Sequence, residues 1–142
     1  MVVDPPLRLT YRELDLRARR CAQVWRDLGL RPGDRVALLA HNRVEYLDAF
    51  FAAGKTGTIL VTLGTRLTPH EVVPILEDSG ARILFYDGAF AALIGELRAT
   101  ATGIETWVSL EEMPQPSLPP SDFEPTLCEP ESVYCLLYTS GT

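Results

Sequence analysis

Short, uninterrupted apolar runs alternate with capped amphipathic stretches along nearly the whole chain, and this alternation limits the fold more than any other feature. Val36-Ala37-Leu38-Leu39-Ala40, Ile59-Leu60-Val61-Thr62-Leu63, Ile83-Leu84-Phe85-Tyr86, Thr106-Trp107-Val108-Ser109-Leu110 and Val133-Tyr134-Cys135-Leu136-Leu137 are each four or five residues long. Runs of this length with almost no polar interruption suit parallel strands covered on both faces. The segments between them read as helices. Thr10-Tyr11-Arg12-Glu13 and Thr68-Pro69-His70-Glu71 have the spacing of capping boxes, and Asn42 with Glu45 repeats the pattern. Pro69 occupies a first helical position, where its missing N–H does no harm. Leu14, Ala18, Cys21, Ala22, Trp25 and Leu28 recur at helical spacing; Val44, Leu47, Phe51 and Gly54 form a second stripe; Phe90, Leu93, Ile94, Leu97 and Ala101 mark a fourth helix. Gly29 and Gly80 are natural left-handed stops. Pro74 falls past the first turn of its helix and predicts a kink. Strands alternating with helices imply an α/β fold: a mostly parallel sheet with helices on both faces.

Residues 111–131 hold six of the eleven prolines and little periodicity, and they read as an extended surface connection inside one domain. The chain of 142 residues is 46% hydrophobic and 23% charged, enough for one domain with a true core. Its net charge of -6 and its lack of a long basic face argue against nucleic-acid binding. No apolar run approaches the roughly 20 residues that a membrane-spanning helix needs. Met1 is followed by Asp4, Pro5 and Arg8 rather than by a secretory signal. Cys21, Cys128 and Cys135 are odd in number and widely spaced, so they form neither a disulfide framework nor a metal site. Reduced thiols in a cytoplasmic protein are the expectation.

In parallel α/β sheets, ligands bind at the carboxyl ends of the strands. That rule points to Thr139-Ser140-Gly141-Thr142 after the fifth strand, and to the loops at His41-Asn42 and Gly64-Thr65-Arg66. Small and hydroxylic residues at a strand end let backbone N–H groups approach an anion and add donors of their own. Four such residues alone more often make an ordinary turn or a helix cap. The chain has neither a Gly-x-x-x-x-Gly-Lys-Ser/Thr loop nor a Gly-x-Gly-x-x-Gly fingerprint. His41 reads as a loop residue, since no carboxylate stands near it in sequence. His70 reads as solvent-facing, Arg66 as a surface or structural cation, and Glu111-Glu112 as solvated charges. Trp25 and Phe51 read as core, and Tyr138 as a support for the loop beyond it.

Tyr138-Thr139-Ser140-Gly141-Thr142 resembles the first half of the signature phosphate loop of adenylate-forming (AMP-binding) enzymes. Leu9-Thr10-Tyr11-Arg12-Glu13-Leu14, Gly33-Asp34-Arg35-Val36-Ala37 and Gly54-Lys55-Thr56-Gly57-Thr58-Ile59-Leu60-Val61 are also similar to that family. The likeness continues through Arg66-Leu67-Thr68-Pro69-His70-Glu71, Ile75-Leu76-Glu77-Asp78-Ser79-Gly80-Ala81-Arg82 and Tyr86-Asp87. Thr62-Leu63-Gly64 departs from it, because the family often has Pro-Leu-Asn there. The resemblance implies an incomplete amino-terminal AMP-binding domain over 1–142, from an acyl-CoA synthetase. The complete enzyme would use ATP, Mg²⁺, CoA and a small carboxylic acid. Thr139, Ser140, Gly141 and Thr142 would bind the ATP phosphates, with no catalytic or metal-binding residue in this stretch. The isolated chain is expected to be inactive, since the loop lysine and the adenine site of the family lie beyond Thr142. An adenylation domain of a peptide synthetase, a light-producing relative and a non-catalytic interaction module are the alternatives. Self-association through an uncovered apolar surface is the partner expectation.

Overall fold

The computed structural model describes residues 8–139. Four helices and five strands follow one another: α1 (Tyr11–Asp27), β1 (Arg35–Leu39), α2 (Val44–Thr56), β2 (Ile59–Thr62), α3 (Pro69–Ser79), β3 (Ala81–Tyr86), α4 (Ala91–Leu97), β4 (Thr106–Ser109) and β5 (Cys135–Leu137). The strands form one sheet in the order β4-β3-β1-β2-β5, and every pairing is parallel. The alternation in the sequence thus becomes the α/β sheet it predicts.

Successive strand residues point to opposite faces, and β1 shows the consequence. Val36 and Leu38 enter a core layer built with Cys21, Ala22 and Trp25 of α1 and Ala49, Ala52 and Ala53 of α2. Ala37 and Leu39 enter the opposite layer, with Val72 and Leu76 of α3 and Ile94 and Leu97 of α4. All four strand residues are essentially inaccessible to water. Only a strand covered on both sides can be apolar at every position.

Local signals set most helix ends. The Thr10 backbone N–H donates to the Glu13 carboxylate at 2.7 Å, and the Glu13 N–H donates back to the Thr10 hydroxyl at 3.2 Å. The Glu71 carboxylate likewise accepts from the Thr68 backbone N–H at 2.8 Å. Each box satisfies donors that a helix start leaves without partners. Helix α3 continues through Pro74, whose exposed position lets water reach the carbonyl that the ring frees. Gly57 ends α2 at φ +73°, and a side chain there would also meet Cys128 Sγ at 2.9 Å and Pro32 Cβ at 3.2 Å. Conformation and space both require glycine at that turn.

Three expectations need correction. Asn42 does not cap α2. Arg43 holds the cap position without a side-chain bond to the helix, since a guanidinium only donates, and Glu45 pairs with that guanidinium rather than reaching back to a cap. Phe51 is 48% exposed, since the buried face of α2 is set by Asp48, Ala49, Ala52, Ala53 and Thr56 instead. Finally, residues 111–131 are not merely a surface connection. Phe123 is 1% exposed and belongs to the core layer under α1. The Arg26 guanidinium stacks 4.2 Å from its ring centroid, and the Arg19 Nη1 donates to its carbonyl at 2.9 Å. Asp27 receives bonds from the Ser117 N–H and hydroxyl. The segment is strapped to α1 by one apolar plug and several polar ties.

Candidate functional site at the carboxyl rim of the sheet

Because all five strands run in the same direction, Leu39, Thr62, Tyr86, Ser109 and Leu137 end at one rim. The chain leaves β1 toward the α2 face and leaves its neighbour β3 toward the α4 face. Such a divergence opens a crevice in open α/β sheets. Here the protein fills the crevice with its own charges. His41 follows β1, and its Nδ1 stands 3.3 Å from Asp87 Oδ2, which follows β3. Arg43 Nε donates to Glu45 at 2.7 Å, and its Nη1 donates to Glu111 at 2.5 Å and lies 3.6 Å from Asp87. Glu111, just past β4, also accepts from the Gly88 N–H at 3.0 Å and the Ser109 hydroxyl at 2.8 Å.

The electrostatics follow from these contacts. Arg43, with further bonds from Ser109 and Gly88, holds the Glu111 carboxyl down at about 2. Burial works against ionising Asp87, yet the Ala89 N–H and His41 together keep it below the usual carboxylate range. The Glu45 and Glu111 carboxylates push the Arg43 guanidinium up. Every charge in the group already has an opposite partner. The network joins the ends of β1, β3 and β4, and this is a structural role rather than that of a nucleophile or base.

Two sequence readings change as a result. His41 does have a carboxylate partner, brought to it by the pairing of β1 with β3 across 46 residues. Glu111 is a bonded member of the rim rather than a solvated charge. Sequence reasoning did not assemble this group. Its only local signal was the placement of Asp87, His41 and Glu111 just after three strands.

The other half of the rim is open. Gly64, Thr65 and Arg66 are exposed after β2, and His70 is exposed in the first turn of α3, as expected. Tyr138 donates its hydroxyl to Asp78 Oδ2 at 2.6 Å, which ties the end of β5 to the end of α3. Thr139 follows at the carboxyl rim and is exposed. Ser140, Gly141 and Thr142 lie outside the described residues. Among the described residues, no group of three or more His, Cys, Asp or Glu side chains is placed to hold a metal ion, and no helix is long and apolar enough to cross a membrane.

Comparison with known proteins gives a consistent result. Residues 1–142 match the family described as AMP-binding enzyme. A long-chain-fatty-acid–CoA ligase, FadD13 of Mycobacterium tuberculosis, is 36% identical over 140 residues, which is 96% of this chain and 28% of that protein. A fatty acid–[acyl-carrier-protein] ligase, ScoC of Streptomyces coeruleorubidus, is 38% identical over 137 residues, or 94% of this chain and 26% of that one. The inhibitor-bound crystal structure of the N-terminal domain of FACL13 from Mycobacterium tuberculosis superposes with a TM-score of 0.84 at 35% identity. That match covers 96% of this chain and 35% of the solved one. The chain therefore spans little more than a quarter of the length of these curated relatives.

Proposed function

The chain belongs to the AMP-binding enzyme family, and on that premise we propose that it is the amino-terminal part of an ATP-dependent acyl-CoA synthetase. The observation that carries this reading is the exit of the chain from β5. The strand is parallel to β2, so Thr139 stands at the rim where parallel sheets take ligands. Thr139, Ser140, Gly141 and Thr142 then hold the β- and γ-phosphates of ATP. Hydroxyls and backbone N–H groups supply donors, and Gly141 allows close approach.

In the complete enzyme, a substrate carboxylate oxygen attacks the α-phosphorus of ATP. The bond to the bridging oxygen breaks, and pyrophosphate leaves with its electron pair. The products are acyl-adenylate and pyrophosphate. The CoA thiol, losing its proton, then attacks the acyl carbon and expels AMP, leaving a thioester. In the complete enzyme, magnesium would neutralise the charge on the phosphates. The work of this part is positioning, because phosphoryl chemistry of this kind needs charge placed accurately more than it needs a covalent helper. A cytoplasmic location fits the supply of ATP and CoA and the three free cysteines.

Carboxylate-dependent exchange of labelled pyrophosphate into ATP tests the reading. The complete protein should exchange with a fatty or aromatic acid and form a thioester when CoA is added. The 142-residue chain should exchange no faster than a blank. A complete protein without acid-dependent exchange, or a 142-residue chain that exchanges on its own, would overturn it. Acyl-carrier protein as an alternative thiol distinguishes the type of ligase that ScoC represents.

A further inference from the structure

Strand β5 is the shortest of the five, three residues paired with Leu60, Val61 and Thr62 of β2. Thr139 stands two residues past its end. So short a ladder specifies its own register weakly, and side chains at its two ends supply what it lacks.

Tyr134, just before the strand, is held at three points. Its carbonyl accepts from the Leu60 N–H at 3.1 Å. Its hydroxyl donates to the Phe50 carbonyl of α2, using a lone pair that a helical carbonyl has to spare. Its ring lies beside Phe50, with centroids 6.1 Å apart, and against Gly54 one turn further along the helix. A methyl group on Gly54 would meet Tyr134 Cε2 at 3.3 Å, closer than the ring can stay without shifting. Glycine inside a helix is less favourable than alanine, and the room it leaves is taken by this ring. Tyr134 belongs to neither buried core layer, so its contacts contribute placement more than burial. At the other end, Tyr138 is bonded to Asp78 of α3 at 2.6 Å. The two tyrosines therefore brace β5 from helices on opposite faces of the sheet.

We propose that Tyr134 is a positioning residue for the ATP phosphates. Seated against Gly54 and bonded to Phe50, it fixes where β5 lies along β2 and so where Thr139 stands. The inference rests on the ligase reading for its ligand. Extended backbone advances about 3.3 Å per residue, so a shift at Tyr134 is carried along the strand to its carboxyl end. Donors to a phosphate tolerate little such displacement, because hydrogen bonds weaken steeply with distance and angle.

Steady-state exchange of labelled pyrophosphate into ATP by the complete protein tests this. Tyr134→Phe removes the hydroxyl bond alone. It should raise KM for ATP about threefold or more, while kcat and the KM for the carboxylic acid hold. Gly54→Ala should raise KM for ATP likewise by pushing the ring aside, although alanine favours the helix and should not lower the thermal midpoint. With Tyr134→Ala in place, Gly54→Ala should add nothing, since the ring it displaces is gone. Tyr11→Phe, at a residue 93% exposed, should leave every constant unchanged. In the nucleotide-free complete protein, Tyr134→Phe should speed amide exchange at residues 135–139 and leave residues 36–39 as they were. An unchanged KM for ATP in either single variant, an equal rise in the KM for the acid, a further rise when Gly54→Ala joins Tyr134→Ala, or unchanged exchange at 135–139 would each overturn the proposal. An unaltered complete protein without acid-dependent exchange would overturn the ligase reading and, with it, the assignment to ATP; amide exchange at 135–139 then decides the anchoring on its own.

Discussion

Arg17 and Asp48 meet between α1 and α2, where water reaches the arginine and barely reaches the carboxylate. Asp48 takes bonds from Arg17 Nε at 3.0 Å and Nη2 at 2.6 Å, and its side chain is 10% exposed against 35% for Arg17. Burial pushes the Asp48 carboxyl up, and the guanidinium offsets part of that. A raised carboxyl is easier to protonate folded than unfolded, so its cost to stability appears as pH rises through the carboxylate range. Replacing Arg17 by Met leaves a charge with little water around it. The expected loss at neutral pH is about 2 kcal/mol, reduced from the value for a fully buried pair because Arg17 is partly exposed. Urea unfolding should show a smaller loss near pH 4 and a smaller loss again when Asp48→Leu accompanies Arg17→Met. Glu111 behaves in the opposite sense. Its carboxyl is held at about 2 by Arg43, so its stabilisation is full above the ordinary glutamate value and fades as pH falls toward 2. With the side chain 46% exposed, screening leaves about 1 kcal/mol. Glu111→Gln should cost that much at pH 7, and the difference from the unaltered chain should shrink steadily between pH 4.5 and 2.

Among the elements, the strap across α1 makes the clearest prediction. Phe123→Ala empties a fully buried ring position and should cost about 3 kcal/mol. Residues 111–131 should then become cleavable by a protease under conditions where the unaltered chain is intact, read by mass after brief digestion. This anchor shows where sequence reasoning stops. Capping boxes and glycine stops are local, so Thr10 with Glu13, Thr68 with Glu71, and Gly80 could be read directly from neighbours three residues apart or fewer. Both faces of β1 were legible for the same reason, since an unbroken apolar run already means cover on two sides. Phe123 was not legible. Its partners Arg19 and Arg26 lie about a hundred residues earlier, and a lone aromatic among prolines has no period. The start of α2 failed differently: Asn42 and Glu45 had cap spacing, but a competing charge on Arg43 took the glutamate. Phe51 was placed inside because small alanines, rather than large side chains, form the buried face of α2.

For the chain as a whole, the parallel order β4-β3-β1-β2-β5 gives the two halves of the rim a different character. The end made by β1, β3 and β4 is closed by His41, Arg43, Asp87 and Glu111, and that closure depends on pairings no single segment reveals. The end made by β2 and β5 is open, and exposed Thr139 stands beyond it. The strand end was legible from composition and from the rule for parallel sheets, while the ion network needed the strand register. Amide hydrogen exchange of the complete protein, with and without magnesium and ATP, tests the central claim most directly. The account predicts that peptides covering residues 138–142 gain protection, while those covering the amino ends of the strands, at Arg35 and Ala81, do not change. Unchanged exchange at 138–142 with protection at Arg35 and Ala81 would contradict it.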